Sequence, residues 1–305
     1  MSRFMLPLLL LLLAAAPRAE VTITPAEVFG QVLVLERETE LIRHHLGITT
    51  APLAVTPVRA ELMPRHVWYK LYMVQTKLVA FRRQQGLEGV TPVGIEPREH
   101  TDPRLSWGQT QRLLTEIRIL RKLLGIPGAV SEEGTTPAEI GEKQSLDVYN
   151  KLSEVEALWN TLLGGGLDPS HVYAQAHRLD EDVNALLNRA GVFDNATPPA
   201  KRPEATSADS LRAAYQVLGE VQRLQRRLGL PVLDLSVFDK PTEASPDDVF
   251  NLLGLILAEL QPVKARVGLI HAITPPAVFQ QGKRPAEVVQ LLGYIANKLA
   301  QIRYF

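Results

Sequence analysis

The chain contains no cysteine. Disulfide staples, c-type haem attachment, thiolate metal sites and lipid attachment at a cleavage-site cysteine are therefore excluded, and core burial alone must hold the fold. Aromatic residues make up 6% of the sequence, and its 33 basic residues are balanced by 33 acidic ones. A neutral chain offers no electrostatic case for nucleic acid or for an anionic membrane surface. HExxH, nucleophile-elbow, P-loop and dinucleotide-binding motifs are all missing. Beyond residue 19 no stretch approaches the ~20 consecutive apolar residues of a membrane-spanning helix.

Residues 1–19 read as a secretory signal peptide. Arg3 supplies a basic start, Leu8 to Ala16 is a run of nine apolar residues, and Ala19 and Ala15 are both small residues suited to cleavage, Ala19 giving the 1–19 boundary. Removing Arg3 and Arg18 leaves 31 basic against 33 acidic residues, a charge of −2. The expectation is a periplasmic or secreted protein with no integral membrane segment after cleavage.

What the chain does have is a repeat. In Ser245-Pro246-Asp247-Asp248, Ser245 suits an N-cap, Pro246 the first helical position and the two aspartates the positive end of the helix dipole. Val249, Leu253, Ile256, Leu260, Val263 and Val267 follow at spacings of 4, 3, 4, 3 and 4, one apolar seam that Gly268 closes. The same 22-position interval from proline to glycine recurs at Pro25–Gly47, Pro64–Gly86, Pro103–Gly125 and Pro169–Gly191. Related seams start at 145, 207 and 285.

Eight starts at 25, 64, 103, 145, 169, 207, 246 and 285 lie 38 to 42 residues apart, except for the step from 145 to 169. The fold expected is all-α, with eight helix-plus-long-linker repeats of about 39 residues forming two four-helix-bundle-like halves. The halves span residues 20–166 and 167–305, with Gly164-Gly165-Gly166 as a hinge.

The linkers 48–63, 87–102, 230–245 and 269–284 each have 16 residues, far beyond the usual 2 to 8 of bundle loops. They carry Thr-Pro elements at Thr56, Thr91, Thr136, Thr197 and Thr274, and apolar residues such as Leu53, Val55, Val93, Ile95, Val232, Leu235, Phe238 and Phe279. Such composition predicts ordered, extended segments lying on the helices. A helix of 22 residues is about 33 Å long and 16 extended residues reach about 53 Å, so a linker is long enough to return to the end where its helix began. Parallel and antiparallel helices both satisfy the pattern.

Few residues suggest chemistry. His177 and Glu181 have the i,i+4 spacing of a metal pair, but one histidine and one carboxylate make half a coordination shell; no metal and no cofactor is expected. Aromatic residues at the fifth unit position (Phe29, Trp68, Trp107, Tyr149, Tyr173, Phe250) read as core or staple residues. Charged residues at the fourteenth (Glu38, Lys77, Glu116, Asp182, Glu220, Glu259, Lys298) read as exposed or inter-helix pairs of small worth.

Two units break the seam. Ser106 and Thr110 stand where others have Val and Leu, and Ser210 and Ala214 do so in a second helix. Looser packing is expected there, which makes Ser106, Trp107 and Thr110 the candidate ligand-binding residues. The function expected is an exported, non-enzymatic scaffold or binding module for a protein partner. The alternative is a soluble periplasmic small-ligand sensor or carrier that uses the bundle core near Trp107.

Overall fold

The computed structural model describes residues 22–87, 98, 102–239 and 242–305. Residues 1–19, where a signal peptide is expected, and Thr91-Pro92, Val93, Ile95 and His100 lie outside the described residues. Among those described the fold is all-α, with nine helices: α1 (Pro25–His45), α2 (Pro64–Gln84), α3 (Pro103–Leu123), α4 (Pro137–Ile140), α5 (Ser145–Leu163), α6 (Pro169–Arg189), α7 (Ser207–Arg227), α8 (Pro246–Arg266) and α9 (Pro285–Gln301).

The helix ends follow the chemistry legible in the sequence. Thr24 with Glu27, Thr206 with Asp209 and Ser245 with Asp248 form capping boxes, each side chain serving the other residue's backbone N–H. At the C-termini, Gly47, Gly86, Gly125, Gly191, Gly229 and Gly268 take φ between 64° and 83°, where a Cβ would be strained. The apolar residue after each glycine then donates its N–H to a carbonyl one turn back. Ile48 to Arg43 (3.0 Å), Ile126 to Arg121 (2.9 Å) and Leu269 to Lys264 (2.8 Å) are examples.

Four helices, α1, α3, α2 and α5, touch one another in that cyclic order, and α6, α8, α7 and α9 form a second ring in the corresponding order. Within each ring the helices are parallel. Pro25, Pro64, Pro103 and Ser145, the first residues of four helices, surround one cavity, and Pro169, Ser207, Pro246 and Pro285 surround another. The seam residues stack in layers between them, Leu35, Val74, Leu113 and Val155 forming one layer and Leu179, Val217, Ile256 and Ile295 its counterpart, all fully buried.

Parallel helices add their dipoles, which costs electrostatic energy. Basic residues in the last turns, such as Arg43, Arg82, Arg121, Arg226 and Lys264, offset part of it. The two rings oppose each other for the rest. They meet through α2 and α8, and the pairs Arg65–Glu259 and Lys77–Asp247 show that these helices run antiparallel. Each of the two is a central helix, with 15 of its 21 residues buried.

This geometry explains the connection lengths. Inside a ring, each linker must climb back to the starting end before the next helix begins. Between rings, α5 finishes beside the starting end of the second ring, so five residues, Gly164 to Asp168, suffice. Gly164, Gly165 and Gly166 all have positive φ there (73°, 148° and 95°).

Candidate functional site

Ser106 and Thr110 are buried, and each hydroxyl donates to a backbone carbonyl: Ser106 to Pro64 at 3.1 Å and Thr110 to Ser106 at 2.8 Å. Trp107 is half-buried against the core from a neighbouring face of α3. The expected looseness is absent. Leu71 and Leu152 share the layer of Val32 and Thr110, while Leu253 and Leu292 share that of Ala176 and Ala214, so large residues offset small ones. The cavity that Ser106 helps to line amounts to about 10 Å³, the space that the centre of one water takes up.

The charged residues at the fourteenth unit position are not exposed. Glu38, Lys77, Glu116, Asp182, Glu259 and Lys298 are buried, because in a parallel ring this position faces the neighbouring helix. Glu38 accepts from Arg121 at 2.5 Å, Asp182 from Lys264 at 2.5 Å, and Glu259 from Gln225 at 2.7 Å. Lys77 donates to Glu156 (2.9 Å), and Lys298 to Asp180 and Asn184 (2.8 Å each). Asp180 and Asp182 are thus committed to lysines, while His177 is half-buried and Glu181 exposed, with 3.8 Å between Nδ1 and Oε1.

The linkers lie on the rings. Val58 exchanges two bonds with Asn150 (2.9 and 3.2 Å), so the first linker crosses α5. Pro199 accepts from Gln290 at 2.9 Å, so the linker after α6 crosses α9. Arg37 of α1 donates to Ser131 and Glu133, and Arg178 of α6 to Pro275. Thr274 donates to Asp182 at 2.6 Å. At Gly30 the linker backbone comes so close that an added Cβ would stand 2.0 Å from the Thr135 oxygen.

Within the linker after α7, Leu233 and Leu235 are buried and Val232 and Phe238 are half-buried. Neither linker is wholly extended. Thr136 and Glu139 cap the single turn of α4, and Ser236–Phe238 is a 3₁₀ turn. The two lysines that precede α5 and α9 also have an office here: Lys143 sits over the Phe29 ring (5.1 Å) and Lys283 over Tyr173 (4.4 Å). Outward from these anchors, Leu53, Phe193 and Val278 are 84%, 82% and 64% exposed.

Between the rings, polar and aromatic contacts accompany the apolar core that runs through both. His66 Nδ1 accepts from Met63 N–H (2.9 Å) and its Nε2 faces Glu259 Oε1 (2.8 Å), so the proton resides on Nε2. Burial pushes the His66 imidazole below its ordinary range, against the opposing pull of Glu259. Burial would raise the Glu259 carboxyl, but His66, Arg65 and Gln225 outweigh it and hold it at about 2. Burial acts likewise on Glu156, which the charges of Lys70 and Lys77 hold at about 2. Tyr149 donates to Asn251 at 2.8 Å, and Arg178 lies 4.2 Å above Tyr72. No pattern in the sequence marks His66 and Glu259, Tyr149 and Asn251, or Arg178 and Tyr72 as partners, since each pair joins one ring to the other.

Among the described residues no cluster of three or more metal-ligating side chains forms, and no helix is long and apolar enough to cross a membrane. Comparison with known protein families, with curated proteins and with solved structures gives no match.

Proposed function

We propose that the protein is an exported, non-enzymatic scaffold of eight helix-plus-linker units, in two four-unit halves, that binds a protein partner through the outer edges of its linkers. The observation carrying this reading is the exposure of Leu53, Phe193 and Val278 on linkers that are anchored to the helices at Val58, Pro199 and Pro275. Large apolar side chains held outward on an ordered backbone lose little entropy when a partner covers them. The eight-unit duplication is supported by contacts that recur at equivalent positions in both rings. Glu38–Arg121 corresponds to Asp182–Lys264, and Lys143–Phe29 to Lys283–Tyr173. Asn150–Val58 likewise corresponds to Gln290–Pro199. Repeats of this kind suit extended recognition surfaces. Periplasmic or secreted location rests on residues 1–19 as a signal peptide.

Native mass spectrometry of protein purified from its own host tests the proposal. The expected result is a protein partner that is lost when Leu53→Asp, Phe193→Asp and Val278→Asp are combined, with the far-UV spectrum unchanged. A retained small molecule, bound equally by the triple variant, would overturn it in favour of a ligand carrier using the core near Trp107.

A further inference from the structure

We propose that the contact between the two rings is an acid-opened hinge, latched by neutral His66 and His171 and pivoting on Gly164–Gly166. The joint and the latch are separate observations. Three consecutive glycines with positive φ form the sole chain crossing between the rings among the described residues. The surfaces they bring together carry ion pairs, hydrogen bonds and ring contacts beside the apolar residues of α2 and α8, so closure is held in part by groups that respond to pH.

The two histidines stand at opposite ends of α2. Both occupy the third position of a helix, His66 in α2 and His171 in α6. Around His66 the facing groups are Glu259 of α8, Arg65 of its own helix and the Met63 N–H, with Gln225 of α7 behind Glu259. A second proton has only Nδ1 to go to, and there it would meet the Met63 N–H, donor against donor at 2.9 Å. The imidazolium therefore forms only if the ring leaves the helix cap, and with it the bond to Glu259.

His171 faces Asp168 of its own cap (2.9 Å), the Phe279 ring (4.7 Å), Arg83 of α2 and Asp247 of α8. Arg83 lies over the same Phe279 ring at 4.1 Å. Charging His171 would place a second cation on this aromatic bridge between the rings, and burial disfavours that charge more than Asp168 favours it. Separation hydrates both imidazoles. A proton taken up only on opening changes the closed-to-open ratio tenfold per pH unit below ~6.5, and two such protons change it ~100-fold.

The absence of cysteine makes the test direct. Thr115→Cys in α3 and Gln216→Cys in α7 are exposed positions on different rings for a pair of spin labels or fluorophores. The expected result is one distance population at ~pH 7.5 and a second, longer one growing below ~6.5 at unchanged helicity. In the His66→Gln/His171→Gln background the closed population should persist to ~pH 5, since glutamine at a helix third position serves the cap without titrating. If that double variant fails to fold, each single variant should show the steepness reduced to about tenfold per pH unit. A single population in the parent down to ~pH 5 would overturn the proposal. So would helicity lost in step with the distance change, or a glutamine variant that opens like its parent.

Discussion

Asp182 and Lys264 pair at 2.5 Å with both side chains buried, and Glu38 and Arg121 occupy the same two unit positions at the same 2.5 Å in the other ring. A carboxylate of one helix meets a cation five positions further along its neighbour, the spacing at which adjacent flanks of parallel helices face each other. Antiparallel neighbours would bring different positions together. The pair therefore records the direction of the helices as well as their order.

A double-mutant cycle tests this pair. Asp182→Ala leaves Lys264 buried without its carboxylate and should cost about 3–5 kcal/mol. Combining Asp182→Leu with Lys264→Met should restore most of that, because the replacement is apolar and of similar volume. Denaturant melts measure both, and a single-variant loss below about 1 kcal/mol would show that the lysine reaches water instead.

Two helical glycines should respond to alanine with opposite signs. At Gly30 the new Cβ meets the Thr135 carbonyl at 2.0 Å, so the linker must detach and the variant should lose at least about 2 kcal/mol. At Gly254 the nearest atom is Tyr69 Cβ at 3.7 Å, an ordinary contact, and the higher helix propensity of alanine should add up to about 1 kcal/mol. Thermal melts of the two variants side by side decide it.

The seams carry the core of both rings. Leu253 and Leu260 are fully buried in the second ring, and alanine at either should cost about 2–5 kcal/mol. Losses below about 1 kcal/mol at both in urea melts would contradict the layer assignment.

Seams, caps and C-terminal glycines were legible because they are local: Val249 to Gly268 carries its whole helix in one stretch of chain. Helix direction was not, since a seam reads the same whichever way its neighbour runs and 16 residues span either path. Burial of Glu38 or Lys77 was hidden for a related reason. A charge beside a seam normally faces solvent, and only the parallel neighbour and the overlying linker close it off. Ser106 and Thr110 suggest a void on their own helix, whereas Leu71 and Leu152 supply the missing volume from two others.

Acid should weaken the fold through Glu259. With the rings closed its value of about 2 lies below the ordinary 4.5, so the stabilisation that the closed molecule draws from it is complete above ~4.5 and is lost as pH falls toward 2. A depression of that size is worth roughly 3 kcal/mol. Glu259→Gln should be less stable than the parent at ~pH 5.5 yet lose less between ~pH 5 and ~2.5, as chemical denaturation at each pH would reveal. Equal slopes for the two proteins would place the acid sensitivity elsewhere.

The linkers give the last expectation, because their order decides whether the outer surface is a fixed template or a set of tethers. Val58 N–H donates to Asn150 at 2.9 Å, and Leu233 and Leu235 are buried with their carbonyls accepting from Gln222 and Tyr215 (3.0 Å each). Thr274 is fully buried in the Asp182–Lys264 cluster. Amides that are bonded or shielded in this way exchange only when the segment lifts from the helices. Hydrogen exchange should therefore find protection around Val58, Leu233–Leu235 and Thr274, and faster exchange at Leu53 and Phe193, where the side chains stand in water. Asn150→Ala should release the Val58 region alone and leave the linker over α7 protected, since the two are anchored to different rings. Full exchange of residues 48–63 and 230–239 within seconds would mean that these contacts do not persist, and the outward residues would then be mobile rather than held.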